Sequence, residues 1–346
     1  MRGDIPLPGL LPGRVLVSFP VGFWSVLLVV VSHMVQQRGT PMIQQRVRSP
    51  LKYIGGKFAS APRIVAAFPP PEDYETYLEP CGGAFHVGMY KPQWGHREIF
   101  NDLNDDLYNF WLQMQERADL MAQRLQRLPY SRKLYYEYHA RLFDGSAVEP
   151  LERAVMWFYV LRSTGTGWIR RSPGGWNNRE SNALAYRSVL DLFEQVQHRI
   201  THPRFIIDNR DVERALEEYD SPTTLHYVDP PYIGAEYYYQ AGIRKRVKKQ
   251  FDHKRLAEML NTIKGYVTLS YYPHPDLEGW YCPEKWRRLT WQQPKSSSLA
   301  ADEIQTATEM LLCNYPAPTS TASPVSLWEE STDRQQEGVS KGEREW

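Results

Sequence analysis

The tetrapeptide Asp229-Pro230-Pro231-Tyr232 ends the apolar run Leu225 to Val228 and puts a carboxylate, a rigid carbonyl and an aromatic face in consecutive positions. Two successive prolines fix the backbone and remove two N–H donors, so the Pro230 carbonyl is presented rigidly. In open α/β sheets, ligands bind beyond the carboxyl ends of the strands. Such a set suits an exocyclic amine of a nucleobase, whose lone pair is delocalised into the ring and attacks poorly. The Asp229 carboxylate and the Pro230 carbonyl can accept its two N–H bonds and shift it toward a pyramidal geometry, with Tyr232 stacked on the base. Aspartate and proline are also common in strand-ending turns, so the motif has to be weighed with its companions.

A second constellation is Tyr77-Leu78-Glu79-Pro80-Cys81-Gly82-Gly83-Ala84-Phe85. Glycines after a strand let the backbone approach a ligand, and an acid about 20 residues beyond the first glycine is where nucleotide folds place a ribose-binding carboxylate. Asp102 lies 20 residues after Gly82. There is no Gly-x-Gly-x-x-Gly, which disfavours a pyrophosphate cradle and NAD. A cofactor with a ribose and no phosphate, S-adenosylmethionine, suits the pattern better. Third is Ser49 to Lys57, a Gly55-Gly56 turn flanked by Tyr53, able to face an adenine ring or a sulfonium, and Lys57, able to reach a carboxylate. Alone it would read as a basic surface turn.

These residues need a scaffold of alternating strands and helices. Strands are expected at 75–78, 98–100, 205–207, 224–228 and 266–270, with helices near 85–90, 105–128, 211–219 and 252–264. Between the second and third strands lies a helical stretch: Ser131 can cap one helix, Pro150 suits the first turn of another, and residues 188–200 read as a third. The fold class is α/β, a Rossmann-like sheet interrupted by a mainly helical insertion. With 42% hydrophobic and 23% charged residues, the chain is neither wholly disordered nor wholly membrane-embedded. Cys81, Cys282 and Cys313 are few, scattered and odd in number, which fits a reducing cytoplasm and offers no zinc spacing. No metal is expected. His86, His139 and His253 read as structural.

Taken in order, Tyr53 to Lys57, Leu78-Glu79-Pro80 with its glycines, Asn101-Asp102, Asp229 to Tyr232, Asp252-His253, Lys264 to Tyr272 and Thr308 to Tyr315 resemble the Dam-like adenine-N6 DNA methyltransferases. The resemblance covers residues 42–316. It implies a methyltransferase catalytic domain at 42–110 and 200–316, with a target-recognition insertion at 111–199. It also implies that Tyr53, Lys57, Glu79, Pro80, Gly82, Gly83, Asp102 and Asp229 contact S-adenosylmethionine, and that Asp229, Pro230, Pro231 and Tyr232 hold a flipped adenine. The chain departs from the family at Cys81 and Phe85, where the bulky phenylalanine would crowd a backbone contact. A relative that keeps the fold and binds DNA without catalysis would carry such an obstruction. Methylation of another exocyclic amine, cytosine N4 in DNA or adenine in RNA, uses the same four-residue logic.

The partner is double-stranded DNA, because N6 is buried in a duplex and the base must be extruded. Residues 162–179 interleave Arg162, Arg170, Arg171 and Arg179 with Trp168, Trp176 and Asn177, types that read base edges and fill the gap left by a flipped base. A basic run, Arg244, Lys245, Arg246, Lys248 and Lys249, is placed to clamp phosphates. The net charge of +1 conceals these local clusters. Residues 1–41 carry an uncharged apolar run at 15–35, read as an over-extended frame ahead of Met42 or, alternatively, a hydrophobic anchor. Residues 317–346 read as a disordered tail. A cytoplasmic monomer is expected, with a compact size that suits a phage or prophage enzyme or the modification half of a restriction pair.

Overall fold

The computed structural model describes residues 47–93, 96–240, 251–294 and 306–318. The apolar run of residues 15–35, the basic residues Arg244 to Lys249 and all but the first two residues of the tail lie outside the described residues. Among them the strands are β1 (Thr76–Glu79), β2 (Arg97–Asn101), β3 (Phe205–Asp208), β4 (Thr224–Val228), β5 (Tyr266–Tyr271), β6 (Arg287–Pro294) and β7 (Thr306–Cys313). They form one sheet in the order β3-β2-β1-β4-β5-β7-β6. The neighbours from β3 to β5 pair in parallel, whereas β7 runs antiparallel to β5 and β6 antiparallel to β7.

Both faces of this sheet are covered, which is why the parallel strands read as near-continuous apolar runs. Strand alternation sends Tyr77, Phe100, Tyr227 and Leu311 into one core and Leu78, Ile99, Val228, Leu269 and Leu312 into the other. Covering the first face are α1 (Ala61–Ala66), α2 (His86–Tyr90), α3 (Asp105–Arg127), α4 (Arg132–Phe143), α5 (Pro150–Ser163), α6 (Glu180–Ser188) and α7 (Phe193–Ile200). The opposite face packs on α8 (Val212–Tyr219), α10 (His253–Leu260) and α11 (Pro275–Trp280), while the short α9 (Tyr237–Gln240) follows the loop after β4.

The helices between β2 and β3 therefore share one core with the sheet. Phe110, Trp111 and Phe158 pack in the same cluster as Tyr77 and Phe100. Two buried ion pairs lock them together: Arg199 of α7 grips both oxygens of Glu98 on β2, at 2.5 and 3.0 Å, and Arg153 of α5 grips Asp106 of α3, at 2.5 and 3.0 Å. Removing one partner of the Arg153–Asp106 pair costs roughly 3–5 kcal/mol, because the other charge stays buried without it, whereas Glu98 without Arg199 would keep Lys91 at 2.6 Å.

Local chemistry explains most boundaries. Asn104 caps α3 by accepting from the Asp106 and Leu107 amides, and Ser131 caps α4 by accepting from Leu134. Two expectations shift. The single helix expected over 188–200 is a 3-10 turn, Val189–Leu192, followed by α7. Helix α10 stops at Leu260, where the next segment turns so that the Lys264 and Gly265 amides reach the Asp220 carboxylate.

Strand order reverses direction at β1: the chain runs outward through β2 to β3, then returns to lay β4 against β1. At such a switch point, the loops leaving the carboxyl ends of β1 and β4 part to opposite sides and open a crevice. Glu79 and Asp229 stand at those two ends.

Candidate active site

The wall beyond β1 is backbone held by its neighbours. A Cβ on Gly82 would lie 2.4 Å from the Phe100 ring, so only glycine lets the chain pass here. Gly83 has φ +50° and donates its amide to Asp102 Oδ2 at 3.0 Å. The Asn104 amide donates to Asp102 Oδ1 at 2.8 Å. Burial nevertheless pushes the Asp102 carboxyl up to about 6, against the two amides that favour its charge. Asn101 locks the turn from below, donating to the Pro80 carbonyl at 2.8 Å. Tyr53 extends over this wall, with its hydroxyl 3.4 Å from the Asn104 amide nitrogen.

Glu79 is buried at the strand end, and its Oε1 accepts from the Tyr77 hydroxyl and the Gly88 amide, both at 2.6 Å. Burial pushes its carboxyl up to about 8, so it is mostly protonated at neutral pH and carries a hydrogen to donate. Phe85 adopts a left-handed conformation, φ 54°, and turns its ring into the core against Phe100, Trp111 and Phe205. The residue is 1% exposed. Its bulk is thus taken up mainly by the core, although the residue still borders the pocket.

On the opposite wall, Lys57 Nζ lies 2.9 Å from Asp229 Oδ1 and 3.9 Å from Glu309 Oε1. It donates to the Gly55 carbonyl at 2.9 Å and stands over the Tyr232 ring, 4.8 Å from its centroid. Burial opposes the charge of Lys57, but the two carboxylates outweigh it and hold the ammonium above its ordinary pKa. Burial likewise raises the Asp229 carboxyl, with Lys57 pulling the other way. Asp229 Oδ1 is buried and, despite the nearby ammonium, has no aligned hydrogen-bond donor among the described residues. The Tyr232 hydroxyl donates to Glu309, and its ring packs on Tyr272 at 4.6 Å.

Between the walls lies a pocket of about 670 Å³, a volume ordinary for a small-molecule site. Tyr53, Lys57, Glu79, Pro80, Gly82, Gly83, Asp102, Asp229 and Pro231 all border it, so residues read from four separate motifs converge. Pro230 and Tyr232 do not border it; both are buried. The sequence patterns do not single out three further residues on its border: Asp211, which caps α8 just past β3, and Glu236 and Tyr239 in the segment after Tyr232. An acid directly after a strand is the available signal for Asp211. Glu236 accepts from His253 at 2.9 Å, and the other nitrogen of His253 meets the Tyr271 hydroxyl at 2.8 Å. His253 thus ties the pocket-bordering Glu236 to β5.

Residues 53–293 match the sequence model of the family described as MethyltransfD12, D12 class N6 adenine-specific DNA methyltransferase. The chain belongs to this family. The match spans both walls of the pocket and every helix between β2 and β3. A comparison with curated proteins returned no match.

The loop of this adenine-specific DNA methyltransferase that carries the expected base-reading residues sits between α5 and α6. Arg170, Arg171 and Arg179 are exposed; the Arg170 guanidinium lies 5.1 Å from the centre of the Trp168 ring and that of Arg171 5.9 Å from Phe143. Trp176 is half-buried, 5.2 Å from Tyr130 and covered by Arg132. Asn177 turns its side chain back onto the Arg179 amide at 3.0 Å, and Arg162 donates to the Ala185 carbonyl at 3.0 Å. Arg162 and Asn177 are thus engaged within the protein, whereas the three exposed arginines face outward. The loop reaches the methyltransferase pocket through Trp168, whose ring meets Tyr238 at 4.8 Å beside Tyr239. No helix of the described residues is long and apolar enough to cross a membrane, and none of their His, Cys, Asp and Glu side chains form a group able to hold a metal.

Proposed function

We propose that this methyltransferase transfers a methyl group from S-adenosylmethionine to the N6 amino group of an adenine flipped out of double-stranded DNA. The observation that carries the reading is the convergence of Asp229, at the end of β4, with Asp102, Gly82 and Gly83 on one pocket of about 670 Å³.

The pocket residues fit this cofactor. Asp102, pinned by two amides, offers a fixed acceptor for ribose hydroxyls, and Gly82 and Gly83 leave room for close approach. Tyr53 supplies an aromatic face for a ring or a sulfonium, and Asp211 an acid at the far side. When bound, S-adenosylmethionine supplies an electrophilic methyl group. The chain's own work is on the amine. Asp229, which borders the pocket, accepts an N–H bond of N6, orients its lone pair into the pocket and favours a pyramidal nitrogen. Burial makes Asp229 a stronger base than an exposed aspartate, so it can receive the proton that the methylated amine loses. Exposed Arg170, Arg171 and Arg179, with the basic residues Arg244 to Lys249, hold the duplex as a monomer's DNA face in the cytoplasm.

Incubation of the chain with S-adenosylmethionine and unmethylated DNA, followed by digestion to nucleosides and mass measurement, should yield N6-methyladenine. N4-methylcytosine, or no methylated base from folded protein on varied DNA, would overturn the reading.

A further inference from the structure

The Lys57 ammonium sits where the proposed reaction needs an adenine amino group. It is a nitrogen with N–H donors, 2.9 Å from Asp229 Oδ1 and over the face of the Tyr232 ring. A base stacked on Tyr232 with its amine on Asp229 would collide with it. Lys57 therefore has to leave Asp229 when the base arrives, and a buried ammonium cannot leave without another anion to receive it.

Glu309 is that anion. It lies on β7, a strand antiparallel to the one beside β4, and its side chain is 1% exposed. Its Oε2 accepts from Gln293 at 2.7 Å, and its Oε1 takes the Tyr232 hydroxyl. That same Oε1 is 3.9 Å from Lys57 Nζ, farther than the Asp229 oxygen at 2.9 Å. A rotation of the lysine end exchanges one carboxylate for the other while the Gly55 loop stays in place. Two buried carboxylates around a single ammonium are costly to hold, and this arrangement needs both: one to bind substrate, one to keep the ammonium neutralised meanwhile.

The geometry points to Glu309 as a positioning residue that receives the Lys57 ammonium when the adenine amino group takes its place on Asp229. This rests on the function proposed above. Lys57 keeps Asp229 ionised and oriented in the free enzyme, and its transfer to Glu309 clears both the acceptor and the aromatic face together.

The experiment uses the full chain and a duplex that the wild-type protein has been shown to methylate; if it methylates none, the functional reading fails first and this inference with it. Glu309→Gln keeps an oxygen for the Tyr232 hydroxyl but removes the charge, and a flip of Gln293 accommodates its amide. Lys57 is then left on Asp229, so the single-turnover rate should fall at least tenfold while S-adenosylmethionine affinity, measured by calorimetry, stays within twofold. In a Lys57→Met background, Glu309→Gln should lower the rate less than twofold further. Equal losses in both backgrounds would mean that Glu309 acts independently of Lys57 and would overturn the inference. A crystal structure of the wild-type chain with sinefungin and the same duplex gives a readout without turnover: Lys57 Nζ is expected within hydrogen-bond distance of Glu309, and its retention on Asp229 overturns the proposal even if the variants are inactive.

Discussion

Lys57 and Asp229 are far apart in the sequence, yet Nζ and Oδ1 are 2.9 Å apart. The pair joins the loop ahead of α1 to the end of β4, closing one side of the pocket. It also opposes the upward pull of burial on the Asp229 carboxyl.

Asp229→Asn keeps the shape but replaces one acceptor by a donor, which the amine cannot use. Single-turnover methyl transfer should fall by about 100-fold or more. Cofactor affinity should change little, because the cofactor wall is built on Asp102 and the glycines. Full activity of this variant would remove Asp229 from the chemistry.

The pH dependence of cofactor binding should follow Asp102. In the proposed function its carboxylate is the form that accepts a ribose hydroxyl, and burial has raised it to about 6. Affinity is therefore expected to be constant at about pH 7–8 and to weaken as pH falls through about 6, by up to tenfold per unit. The sign for the stability of the free protein is opposite. A raised carboxyl costs the fold nothing below the ordinary aspartate range of about 4, and the cost of the buried charge grows until pH passes about 6. Calorimetric titration of the cofactor from neutral to mildly acidic pH tests the first statement, and a flat profile contradicts it.

Glu79 is mostly neutral near neutral pH, so Glu79→Gln should preserve both stability and cofactor affinity. Glu79→Ala should cost roughly 1–3 kcal/mol, since it strands the Gly88 amide and the Tyr77 hydroxyl in a buried site. Denaturant unfolding of the two variants distinguishes a hydrogen-bonding role from a charged one; a Gln variant as unstable as the Ala variant would show that the charge matters.

Arg170 and Arg171 are exposed and unspent on ion pairs among the described residues. Replacing both with alanine should weaken DNA binding and flatten its salt dependence by a slope of roughly 1 for each phosphate no longer neutralised. S-adenosylmethionine affinity should be unchanged. Fluorescence anisotropy at several salt concentrations reads the slope, and an unchanged slope places the DNA elsewhere.

Legibility in the sequence follows how local each signal is. The parallel strands can be located because strands buried on both faces are short apolar runs with turn residues at each end. The glycine turn, Asn101-Asp102 and the Asp-Pro-Pro-Tyr motif stand out because backbone constraint is written in the residue types themselves. Strands β6 and β7 do not stand out: Arg287 to Pro294 alternates weakly, as an antiparallel edge strand with one wet face does, and β7 gains its meaning only by pairing between β5 and β6. Phe85 misleads in the opposite direction. As a residue type it suggests an obstruction, and only the folded chain shows its ring packed on Phe100, Trp111 and Phe205 while the residue still borders the pocket.

Residue types and their order were enough to read the α/β class and the family to which the chain belongs, because each depends on a few adjacent residues. Which side chains oppose each other across the crevice depended on strand order. Laying β4 beside β1, and β7 beyond β5, is what brings Asp229 and Glu309 to one ammonium. Such long-range juxtaposition leaves no trace in local spacing, and so the sharing of Lys57 between two carboxylates emerged only from the folded chain.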